Sequence, residues 1–163
     1  MAESLVIAAL GVWAVSAVRL AVIDFRPRTL PTRIIWTTAA IVWILYVVSS
    51  LLSGRPDGLV GAAIGAAIGG GALALVHFAH PPSMGFGDVR LAVLHGLLCG
   101  WWGWEIALTG LAAGFLLALP QALVTLFREG IRASRALGPY LIAGTAAVVV
   151  WSTVTLGLSP SSS

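Results

Sequence analysis

Two of the six acidic residues, Asp24 and Asp88, stand where a long apolar run meets a basic or glycine-rich break, and the chemistry open to such a pair is amide hydrolysis. One carboxylate takes a proton from the attacking water, while the other, kept protonated, donates to the carbonyl oxygen or the leaving nitrogen. Like charge at short range keeps the two from ionising together, which separates the roles of acid and base. Asp24 closes its run in AVIDFRPRTLP, and Asp88 follows MGFG, where Gly85 and Gly87 let the backbone approach an extended strand closely. The remaining acids are placed differently: Glu3 near the start, Asp57 and Glu105 at the opposite ends of the apolar runs, and Glu129 among arginines.

Other chemistries are open to the same residues. Asp24 can pair with Arg26 or Arg28, and Asp88 can cap a helix N-terminus, where the macrodipole favours an anion. His77, His80 and His95 flank the region, and a His/Asp group is a candidate metal site. Their spacing matches no recognised ligand set, however, and His80 directly precedes Pro81 and Pro82, where a helix ends, so no metal or other cofactor is assigned. His95 is expected to pack inside the bundle. Cys99 is the only cysteine, which excludes an intrachain disulfide and a multi-cysteine zinc site and leaves a small packing residue.

The elements that must position Asp24 and Asp88 are membrane helices. With 59% hydrophobic and 9% charged residues and a mean hydropathy of +1.00, the chain is far from the composition of a water-soluble domain. Apolar runs over residues 5–23, 34–52, 59–78, 89–102, 105–127 and 137–158 predict a single all-α polytopic domain, 1–163, with about six transmembrane helices, the fourth being short. There is no lysine. Arg19, Arg26, Arg28 and Arg33 flank the first connection, Arg90 follows the third, and Arg128, Arg132 and Arg135 fill the fifth, whereas the other side carries Arg55 alone. The positive-inside rule makes those three connections cytoplasmic and puts both termini outside. Arginines beside apolar runs fit topology in lipid rather than nucleic-acid binding. Arg90 is expected to snorkel to the interface, and Trp101, Trp102 and Trp104 to anchor the outer one. Gly61, Gly65 and Gly69, four apart, form a small-residue face for close helix packing.

Three patches now resemble one family in order. GFGDVRLA, Gly85 to Ala92, resembles the GxGD motif of the type IV prepilin peptidases; IDFRPRTLP, Ile23 to Pro31, is similar to the family's first aspartate segment; and LGPYLIAG, Leu137 to Gly144, with Pro139, is like the opening of its last core helix. The resemblance implies that Asp24 and Asp88 are the catalytic pair, acting without metal, with Gly85, Gly87, Arg90, Pro31 and Pro139 as supporting motif residues. It implies a prepilin or pseudopilin substrate whose hydrophobic helix stays in the bilayer while a short basic leader is cut at the cytoplasmic edge of the inner membrane. Two positions depart from the pattern: Arg90 replaces the usual lysine, and Thr32 a frequent asparagine. The cysteine-containing insert that long members associate with N-methylation is missing, so the chain resembles the short, peptidase-only form. Two other readings stand beside a peptidase: a catalytically silent assembly factor on the same scaffold, and a proton- or cation-coupled transporter using the same acids. No internal repeat of the transporter kind is evident.

Overall fold

Inside lipid a backbone has no partner but itself, so long apolar runs close their own hydrogen bonds as helices. The computed structural model describes residues 1–24, 31–79, 85–129 and 137–158, without the side chains of residues 23–24 and 125–129. Among these residues the regular elements are all helical: α1 (Ala2–Asp24), α2 (Thr32–Ser53), α3 (Asp57–Ala79), α4 (Phe86–Cys99), α5 (Trp104–Glu129) and α6 (Gly138–Thr155), with a 3-10 turn, Gly100–Trp102, after α4. Five of them, all but α4, are long and apolar enough to cross a bilayer, and the chain is a polytopic membrane protein. The fourteen residues of α4 rise about 21 Å, short of a hydrocarbon core of about 30 Å.

That short helix is the core of the bundle. It packs on α2, α3, α5 and α6, and ten of its residues are buried. Its start differs from the apolar run that predicted it: the Asp88 amide donates to the Gly85 carbonyl at 3.1 Å, so the helix opens at Phe86 instead of Val89 and takes Asp88 into its first turn.

Glycine decides how closely α3 and α4 approach. A methyl group on Gly65 would lie 2.3 Å from the Gly96 carbonyl oxygen, one on Gly61 2.3 Å from that of Gly100, and one on Gly69 2.6 Å from that of Ala92. The two backbones therefore touch along the whole small-residue face, where any side chain would force them apart. A second crossing, Gly114 of α5 on Gly144 of α6, is as tight: a methyl on Gly144 would stand 2.3 Å from the Gly114 nitrogen.

The tryptophans divide. Trp104 is exposed, as an interfacial anchor should be, but Trp101 and Trp102 are buried. Their indole N–H groups donate to the carbonyls of Leu158 (3.1 Å) and Gly157 (2.7 Å), and Trp101 stacks on Tyr46 at 4.4 Å. Polar partners inside the fold thus replace the interface for these two.

Candidate active site

Pairwise contacts fix which helix ends lie together. The Thr38 hydroxyl donates to that of Ser16 at 2.8 Å, and the Ser49 hydroxyl to the Ala2 carbonyl at 3.0 Å, so α1 and α2 run antiparallel. Arg90 donates to the Thr32 hydroxyl, and the Tyr46 hydroxyl to the Leu98 carbonyl at 3.1 Å, so α2 and α4 run parallel. The last residue of α1, Asp24, and the first turn of α4, with Asp88, are consequently at one end of the bundle. Trp13 meets His95 edge-on, with ring centroids 6.1 Å apart, which sets the register of α1 against α4. Counting from that contact puts Asp88 level with Leu20 and the Asp24 backbone about one turn, roughly 6 Å, further toward the end.

Asp88 is 7% exposed, a buried carboxyl in the first turn of a helix whose N-terminal dipole favours its anion. The N-cap is Gly85, with φ −69° and ψ 142°, a conformation open to any residue. A methyl there would sit 3.9 Å from Asp88 Oδ2, at ordinary contact distance from the carboxylate. Gly87 fills the next turn position. Pro31 is the N-cap of α2, its carbonyl accepting from Ile34 at 3.0 Å, and Pro139 lies in the first turn of α6, as suits a residue with no N–H to lose. The adjoining Tyr140 hydroxyl donates to the Gln121 side chain of α5, holding α6 to its neighbour at the same end.

Arg90 joins two helix starts. Its guanidinium lies 4.7 Å over the centre of the Phe86 ring and donates to Thr32, because α2 and α4 begin side by side and offer it an aromatic face and a hydroxyl. His77, at the end of α3, meets the same Phe86 ring at 5.4 Å. Thr32, Phe86 and His77 thus lie beside the first turn of α4, where the sequence had set His77 only as a candidate metal ligand. The sequence marked Thr32 and Arg90 separately, as departures from the family pattern, and did not pair them. The side chains of Asp24 and Arg128, and Arg26, Arg28, His80, Arg132 and Arg135, lie outside what the structure describes. Among the described residues no three of His, Cys, Asp and Glu gather in one cluster.

The chain matches the model of the type IV leader peptidase family over residues 9–127, a stretch that includes Asp24, the GFGD turn and the glycine crossing but stops before α6. No curated protein and no solved structure matches it. A match over well over half of the chain, holding both acid-bearing segments, makes this protein a member of the type IV leader peptidase family.

Proposed function

We propose that this chain is an aspartic endopeptidase of the GxGD type that removes the short leader from type IV prepilins or pseudopilins at the cytoplasmic edge of the inner membrane. The observation that carries the reading is the buried Asp88 in the first turn of α4, at the end of the bundle where α1 finishes on Asp24. Family membership supports peptide hydrolysis, and the arginine distribution supports a cytoplasmic site.

In this reading one aspartate deprotonates water as its oxygen adds to the scissile carbonyl carbon. The other, protonated, hydrogen-bonds the carbonyl oxygen and then supplies the proton with which the amine leaves. The products are a leader carboxylate and a new pilin N-terminus. The substrate's apolar helix remains in lipid, and its extended segment reaches Asp88 past the side-chain-free Gly85.

The test is coexpression with a prepilin and measurement of the mature band. Asp24→Asn and Asp88→Asn should each reduce processing by about 10²-fold or more, the usual contribution of a positioned acid or base. Processing that survives either change removes the two-aspartate mechanism. A wild-type chain that leaves every prepilin uncut supports the silent assembly factor instead.

A further inference from the structure

His95 is buried in the middle of α4, 5% exposed, and neither ring nitrogen has a hydrogen-bond partner among the described residues. A neutral imidazole carries one donor and one acceptor nitrogen. The edge-on contact with Trp13 can engage an N–H weakly through the indole π face, but a π face offers nothing to the acceptor nitrogen. A second feature stands against the same ring. A small, partly open cavity, with room of about 10 Å³ for the centre of a water-sized sphere, is lined by His95 and Cys99 of α4 and by Thr145 and Leu141 of α6. It is walled on the α3 and α5 sides by Gly69 and Ala107, small residues that let the helices meet without filling this space. That is about the volume one water requires, and a buried water requires polar partners on its wall. The imidazole and the buried Thr145 hydroxyl supply them.

We infer that this cavity is a hydration site that holds one ordered water, hydrogen-bonded to both His95 and the Thr145 hydroxyl. The water donates to the acceptor nitrogen of the ring and joins α4 to α6 through polar contacts in the interior of a membrane bundle. Ala92, one turn below Asp88 on the same face of α4, also borders the cavity, so the site lies beneath the buried carboxyl with His95 about 10 Å deeper. Cys99 adds a weak donor at the far wall. The inference does not depend on the peptidase reading, since hydration is read without substrate.

The test is water-edited solid-state NMR on the full chain, ¹⁵N-labelled at histidine, in proteoliposomes. His77→Asn and His80→Asn together leave His95 as the only imidazole, and helicity by circular dichroism confirms the fold. Water magnetisation should reach the His95 ring N–H in this background. Thr145→Val should abolish the transfer, and Thr145→Ser should retain it. A ring signal that receives no water magnetisation overturns the site on its own, with no change at position 95 or 145 needed. A transfer unchanged by Thr145→Val overturns the assignment of Thr145.

Discussion

The guanidinium of Arg90 is shared between an aromatic face and a hydroxyl, an arrangement its planar fork allows and a lysine ammonium does not reproduce. Arg90→Lys keeps the charge, yet it should lose the geometry that joins the start of α2 to the first turn of α4. Loss of such a hydrogen bond is worth about 1 kcal/mol. Unfolding in detergent should therefore show Arg90→Lys and Thr32→Val each destabilising by about that amount and the double variant by less than their sum, because both remove one contact. Fully additive effects would mean that the two residues act separately. At this scale the sequence was partly legible. Asp88 was identifiable because an acid in an apolar chain is costly and the glycines around it are distinctive. The Arg90–Thr32 contact was not, since it spans two helices and neither residue type announces its partner. The snorkelling expectation considered Arg90 against lipid alone and named neither contact.

Between helices, the decisive surface is the glycine face of α3 on α4. Gly65→Ala and Gly96→Ala each drive a methyl into an opposing backbone carbonyl, 2.3 Å and 2.1 Å away, which no rotamer change relieves. Overpacking of this kind costs about 1–3 kcal/mol or more, and thermal unfolding in detergent should show it. Gly11→Ala and Gly71→Ala meet nothing within 4 Å and should leave stability unchanged or slightly raised, which makes them matched controls. Equal behaviour of the two sets would overturn the close crossing. Here the spacing of Gly61, Gly65 and Gly69 in the sequence announced a packing face, because small residues four apart share one side of a helix. What covers that face was not legible. The partner glycines, Gly96 and Gly100, lie in the short run that reads merely as a weak span, and the contact is specified by both strips together.

For the whole molecule, the distribution of nine basic residues predicts which side each connection occupies. Labelling can check it, because the one native thiol, Cys99, is buried and should stay silent toward a membrane-impermeant maleimide. Asp57→Cys and Glu105→Cys should label from outside intact cells, and Arg33→Cys only after permeabilisation. The reverse pattern would invert the topology and move the Asp88 end away from the cytoplasm. The helical, membrane-embedded character was legible from composition, since the demand of lipid on the backbone acts on every residue alike. The role of α4 was not, because a hydropathy window sees length and not enclosure. The brevity of this helix bears on biogenesis. Fourteen residues fall below the length of an independent span, so α4 is expected to enter the bilayer together with a neighbour. Its close match to α3 makes a hairpin of the two the expected unit of insertion, with the glycine crossing formed as the protein is born and not only in its finished form.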